Sequence, residues 1–185
     1  RFDRAARAVF LIGLERVRER PPVYFCARRS RLEVDAAVGG QAHAGDEAAL
    51  PAISAALEAL PEDAVGKVFI EVAGPEDQVE LAAPAGVDVF WIYRGGRADL
   101  VPEDNAGDHA PLIAAVKETS WLPGQVQVFI HGEAQAVMHN LRPYIRKERG
   151  VDAKWASSIS GYWRRGRTEE TFRQWKKELA EAESK

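Results

Sequence analysis

Runs of β-branched and aromatic residues alternate along this chain with stretches whose apolar positions recur every three or four residues. Val68-Phe69-Ile70-Glu71-Val72, Val87 to Tyr93 and Val126 to His131 have the composition of strands. Two weaker runs, Gln41 to Ala44 and Trp155 to Ser160, bring the set to five. Leu50, Ile53, Leu57 and Leu60 recur at helical spacing, which predicts a helix from Asp46 to Leu60 that stops before Pro61. Further helices are predicted over Asp108 to Ser120 and over Gly132 to Gly150, where Gly150 is a natural C-cap. A last helix runs from Thr168 to Glu183, with Phe172, Trp175 and Leu179 on one face. Strands that alternate with helices imply parallel pairing and right-handed crossovers. The expected fold is α/β: a doubly wound, mainly parallel five-stranded sheet with helices on both faces.

The first 40 residues are less regular. Val9, Ile12, Leu14 and Val17 suit an amphipathic helix, and Ala8 to Leu14 also suits a strand, ended by Pro21-Pro22. Val23 to Ala27 reads as a strand, and Arg28, Arg29 and Arg31 follow as a basic cluster that is either a solvated turn or an anion site. Leu32 to Val38 reads as a second strand, broken by Gly39-Gly40. Two parts are therefore expected: a short N-terminal segment, residues 1–40, and a globular domain, residues 41–185.

Composition narrows the function classes. The chain has 185 residues, 46% hydrophobic and 29% charged, with a net charge of -3, so no global positive field draws it to nucleic acid or an anionic membrane. Cys26 is the single cysteine, which excludes an intramolecular disulfide and a cysteine metal cluster. No apolar run reaches membrane-spanning length and no small-residue cleavage site follows Ala8 to Leu14, so a cytoplasmic protein is expected. His43, His109, His131 and His139 lack ligand-like spacing, and no metal site is expected. There is neither a G-x-S-x-G elbow nor an H-E-x-x-H pattern, which removes the common hydrolase readings. No residue is assigned as catalytic.

In such a sheet the ligand crevice lies beyond the carboxyl ends of the strands. Those ends carry Gly45-Asp46-Glu47, Arg94, His131-Gly132-Glu133 and Gly161-Tyr162-Trp163-Arg164-Arg165. Asp46 and Glu47 fall where a first helical turn offers unpaired N–H groups. That corner is either a seat for a nucleotide phosphate or an ordinary corner with a capping aspartate.

Four motifs in order carry a family resemblance: Gly45 to Ile53; Phe129 to Glu133; Leu141-Arg142 with Glu148-Arg149-Gly150; and Gly161-Tyr162-Trp163-Arg164-Arg165-Gly166. Over roughly residues 41 to 180 the chain resembles the C-terminal domain of the siderophore-interacting protein family. The resemblance implies a ferredoxin-reductase-like nucleotide-binding domain, paired in the family with an N-terminal flavin barrel. It implies electron flow from NAD(P)H through FAD to Fe(III) held by a siderophore. Gly45, Asp46, Glu47, Ala49, Leu50 and Pro51 match the family loop Gly-Asp-Glu-Thr-Ala-Leu-Pro, with Ala48 in place of the threonine hydroxyl.

The resemblance makes Gly45, Asp46, Glu47, Ala48, Arg94, His131, Gly132, Glu133, Tyr162 and Trp163 the cofactor-binding candidates. Arg94 would face an adenosine 2′-phosphate, or would be a plain strand-end arginine. His131 stands where the family has alanine, near the nicotinamide. Tyr162 and Trp163 would cover a flavin, or would pack the last strand on the terminal helix. Arg164 and Arg165 would attract an anionic ferric siderophore. Only 44 residues precede Gly45, against about 100 for a full barrel, so residues 1–40 are read as a remnant of that barrel and FAD binding is left open.

Two functions follow. One is an NAD(P)H-dependent ferric-siderophore reductase domain in iron acquisition, with a flavin supplied. The other is a non-enzymatic binding module on the same scaffold. A homodimer through Phe172 and Trp175 is an option beside their core role.

Overall fold

Five strands form one sheet: β1 (Val38–Asp46), β2 (Val65–Val72), β3 (Gly86–Tyr93), β4 (Gln125–Glu133) and β5 (Ser158–Trp163). Every neighbouring pair is parallel, and the order is β3-β2-β1-β4-β5. The computed structural model describes residues 38–156 and 158–183. The expectations placed on residues 1–37, the remnant barrel included, lie outside the described residues.

Helix α1 (Leu50–Glu58) joins β1 to β2, and α2 (Pro111–Glu118) precedes β4. Helix α3, residues 134–148, joins β4 to β5, and α4 (Glu169–Glu183) ends the fold. Ile53 and Leu57 of α1 are fully buried against one sheet face. The other face carries Ala44, Phe69, Val126, Val128 and Ile130, packed with Leu112, Ile113 and Val116 of α2 and Val137, Leu141 and Ile145 of α3. Each of these valine, leucine, isoleucine and phenylalanine side chains contributes about 1.5–3 kcal/mol on leaving water.

Two of the boundaries that differ from the sequence expectation turn on glycines. Gly39-Gly40 is not a break: it lies inside β1, where the register with β4 shifts between Val38 and Gly40. A Cβ on Gly40, whose φ is +152°, would come within 2.5 Å of the Leu122 side chain, so glycine lets the strand continue under that leucine. β5 begins at Ser158 and takes in Gly161-Tyr162-Trp163, which the periodicity had left beyond the strand. A Cβ on Gly161 would lie 2.6 Å from the Ala134 Cβ, so the small residue brings β5 against the start of α3.

α3 is wound wider than an α-helix over Gln135–Leu141 and Tyr144–Glu148. The Arg142 N–H reaches the Val137 carbonyl and the Arg149 N–H reaches that of Tyr144, each five residues back. Pro143 sits between the two stretches and has no N–H to give an ordinary turn.

The β4 that follows β3 is placed across β1, so the chain reverses direction between β1 and β4. Their carboxyl ends therefore form the topological switch point.

Candidate functional site

Asp46 ends β1 at the switch point and is 3% exposed. Its Oδ1 accepts the Ala48 N–H at 2.9 Å. Its Oδ2 accepts the Glu133 N–H at 2.8 Å, from the end of β4, and the Trp163 Nε1–H at 2.7 Å, from the end of β5. One carboxylate thus ties three strand ends together. Gly132 makes the approach possible: its φ is +151° and a Cβ there would lie 2.8 Å from Oδ2. Gly45 is equally constrained, because its Cβ would fall 2.5 Å from the His131 carbonyl oxygen. Burial pushes the Asp46 carboxyl up to about 6, against the lowering pull of Trp163 and the other N–H donors.

Glu47, the next residue, turns to the other half of the sheet. Both its oxygens accept from the Arg94 guanidinium, Oε2 from Nη1 at 2.9 Å and Oε1 from Nη2. Arg94 follows β3 and is 4% exposed. Its Nη1 also meets Glu71 Oε1 at 3.5 Å, and its Nε donates to the Gly96 carbonyl at 2.9 Å. Glu71, buried near the end of β2, accepts the Leu112 N–H with Oε2 at 2.9 Å and so caps the first turn of α2. Burial raises the Glu71 carboxyl; Leu112 and Arg94 pull the other way. Burial works to lower the Arg94 pKa, yet the hydrogen bonds and charge of Glu47 carry it upward.

The starts of α1 and α3 at this edge, like that of α2, are closed by the chain itself. The helix expected from Asp46 begins at Leu50, because Asp46 is still strand and Glu47 to Ala49 form the turn. The N–H groups of Ala48, Ala49 and Leu50 bond to the Asp46 carboxylate, the Asp46 carbonyl and the Glu47 carbonyl, at 2.9, 2.9 and 3.4 Å. Pro51 has none to offer. At the start of α3, Glu133 Oε2 accepts the Gln135 and Ala136 N–H groups at 2.7 and 3.0 Å. At the Gly45-Asp46-Glu47 corner the Asp46 side chain holds the turn through Ala48, and the helix itself, N-capped at Ala49, has no side-chain cap. The donors that a phosphate takes at a helix start are used by resident groups.

β5 brings up the remaining residues. His131 is buried, with Nε2 on Ser158 Oγ at 2.9 Å and Nδ1 without a partner. Burial lowers its pKa to about 4, so it is neutral. Its ring lies between Phe129 at 4.4 Å and Tyr162 at 4.5 Å, centroid to centroid. Tyr162 is 44% exposed and is the face that this row turns outward. Arg164 Nη1 donates to Gln135 Oε1 at 2.6 Å and its guanidinium lies 5.0 Å over the Trp175 ring. Arg165 gives its N–H to Glu133 Oε1 at 3.2 Å and Nη2 to the Val101 carbonyl at 2.5 Å, while Nη1 has no partner.

The structure therefore gathers Gly45, Asp46, Ala48, His131, Gly132, Glu133, Tyr162, Trp163, Arg164 and Arg165 along one edge. Glu47 and Arg94 are bonded to each other on the β2–β3 side, and Arg94 points inward instead of presenting its fork to a phosphate. Glu71 and Gln135 escaped the sequence reading. A lone carboxylate inside the apolar run Val68 to Val72 was the signal for Glu71, because a strand buried on both faces must pair it. Among the described residues no group of three or more His, Cys, Asp or Glu side chains is placed to hold a metal ion, and no helix is long and apolar enough to cross a membrane.

Residues 39–166 match the family described as siderophore-interacting protein. An uncharacterized protein of Mycobacterium tuberculosis, Rv2895c, is 72% identical over 163 residues, which are 88% of this chain and 58% of that protein. Ferric vibriobactin reductase ViuB of Vibrio cholerae is 31% identical over 132 residues, covering 70% of this chain and 44% of that one. The siderophore-interacting protein SipS from Aeromonas hydrophila superposes with a TM-score of 0.64 at 30% identity, over 78% of this chain and 53% of its own. A siderophore utilization protein from T. fusca gives 0.60 at 35% identity, over 70% and 46%. The chain spans a little over half the length of the mycobacterial relative and under half that of the vibriobactin reductase.

Proposed function

This chain belongs to the siderophore-interacting protein family, and from that premise we propose that its switch-point edge is the electron-donor side of ferric-siderophore reduction. The observation that carries the reading is the Asp46 carboxylate, which draws the ends of β1, β4 and β5 together beneath an exposed Tyr162. The likeness to the vibriobactin reductase supports the iron chemistry.

A nicotinamide nucleotide fits this edge in part. Tyr162, backed by the His131 ring, offers a flat apolar face to a planar ring. The Trp163 indole is pinned by Asp46 and cannot swing across that face without losing its hydrogen bond. The phosphates do not fit at the helix starts, since those donors are taken. They are left to Arg164 and Arg165, and the Arg165 Nη1, which is buried and without a partner, would have to turn outward to meet one. The same two arginines supply the charge that attracts an anionic ferric siderophore. Bound here, such a nucleotide would supply reducing equivalents as hydride, two electrons at a time, with its ring held on Tyr162 backed by His131. The neutral His131 adds no charge beside the ring. FAD itself is assigned to no described residue. A division into two parts stays part of this proposal, as does a cytoplasmic site of action; the second part takes in all of β1 from Val38 instead of starting at residue 41.

The closed helix starts favour a second reading, a binding module that has given up nucleotide chemistry. Calorimetric titration with NADH, beside an absorbance scan for co-purified flavin, separates the two. Binding in the micromolar range that weakens at least about tenfold in Tyr162→Ala supports the donor-side reading. No heat with NADH or NADPH and no flavin absorbance sinks it and leaves the module.

A further inference from the structure

We propose that this edge discriminates against a 2′-phosphate, so that NADH and not NADPH is its donor. The inference rests on the nucleotide reading above and names which nucleotide that site takes.

A dinucleotide laid across a switch point places its adenosine half over the strands on one side, here β1, β2 and β3. An acceptor of NADPH meets the 2′-phosphate there with an arginine fork. Arg94 has the right place in the chain, at the end of β3, and the wrong commitments. Its Nε, Nη1 and Nη2 are spent on Gly96, Glu47 and Glu71. Turning it outward would leave Glu71 buried with only the Leu112 N–H for company.

The chain around Arg94 offers no substitute. The stretch from Ala73 to Ala85, which leaves β2, carries Glu76, Asp77 and Glu80 and neither lysine nor arginine. Glu76 and Asp77 form the turn Pro75–Asp77 directly after the strand, and both are exposed. Arg97 beyond β3 is paired with Asp99 at 2.8 Å on the surface. Glu47, Glu71, Glu76 and Asp77 thus stand on this side with one buried guanidinium, while Arg97 and Arg165, against the loop after β3, are paired with Asp99 and Glu103. A 2′-phosphate would bring further negative charge into that field, whereas the 2′-hydroxyl of NADH brings none.

The test is a pair of equilibrium titrations, NADH and NADPH, on the purified chain at low salt and again at about 0.5 M salt. We expect NADH to bind at least about tenfold more tightly at low salt, with the gap narrowing as salt screens the carboxylates. Glu76→Lys, at an exposed position that does not endanger folding, should close the gap by about threefold or more. NADPH binding as well as or better than NADH overturns the inference and leaves the nucleotide site standing. An unchanged preference in Glu76→Lys that is also insensitive to salt overturns the electrostatic cause. If neither nucleotide binds, the donor-side reading falls and this inference falls with it.

Discussion

Asp46 and Glu47 are neighbours in the chain and serve opposite halves of the sheet. Asp46 faces β4 and β5 and is held entirely by neutral N–H groups, those of Ala48, Glu133 and Trp163. Glu47 faces β2 and β3 and is held by a cation, Arg94, which it shares with Glu71. The difference teaches what a carboxylate at this edge needs. Without a cation its charge is spread over several hydrogen bonds and burial still raises its pKa; with one, the pair is stable only while both partners remain. Burial raises the carboxyls of Asp46 and Glu71 alike, so both halves feel pH, and the β2–β3 half depends in addition on a single residue, Arg94.

The largest effect should come from removing the cation. Arg94→Ala leaves Glu71 buried and unpaired and frees Glu47, which at 39% side-chain exposure can turn to water. The expected loss is about 3–5 kcal/mol of folding stability, read as a lower urea midpoint with an unchanged slope. Arg94→Lys keeps the charge but not the fork, and should recover part of that loss. A midpoint within about 1 kcal/mol of the parent in Arg94→Ala would mean that the ion network does not hold this half together.

A smaller effect is the pH dependence of the Asp46 side. The folded Asp46 carboxyl titrates at about 6 against 3.8 in the open chain, so its protonated form favours the fold. That contribution is complete below about pH 4 and is lost as pH rises through about 6. His43 and His131 run the other way: burial lowers each from 6.5 to about 4, so their contribution is present above about pH 6.5 and is lost as pH falls through about 4. The two slopes oppose each other in the parent protein. Asp46→Asn removes the first alone, so its stability should fall more steeply on acidification. The extra loss between pH 7 and pH 4 is at most about 3 kcal/mol. Urea midpoints across that range check it; parallel profiles for parent and variant would show that Asp46 is not titrating in the clasp.

Much of this arrangement was legible in the sequence, and the parts that were not have physical causes. β2, β3 and β4 announce themselves through Val, Ile, Phe and Trp, and the parallel order follows from their alternation with helices. β1 reads as four residues and has nine, because its glycines and alanines are there for close approach to its neighbours and carry no strand signal. The edge itself was found from strand ends alone. What no periodicity reports is direction: that Asp46 turns to Trp163, 117 residues on, and Glu47 to Arg94, 47 residues on. Nor does periodicity choose between a phosphate seat and an ordinary corner at Gly45-Asp46-Glu47, where Pro51 lacks an N–H and the Asp46 side chain takes that of Ala48.

The smallest effect tests the comparison most directly. If the two carboxylates serve separate halves, the double variant Asp46→Asn with Glu47→Gln should change stability by close to the sum of the two single changes. The Coulomb repulsion between them is a minor contribution to the Asp46 titration, after burial and the Trp163 and Ala48 hydrogen bonds. Arg94 neutralises Glu47 on the side away from Asp46. At pH 7 the coupling energy of that cycle is therefore expected at about 0.5 kcal/mol or less, although the residues are adjacent. A coupling above about 1 kcal/mol would mean that the turn Glu47 to Ala49 transmits strain between the clasp and the ion network. The edge would then behave as one cooperative element, and a substitution on the adenosine side would be felt at Tyr162.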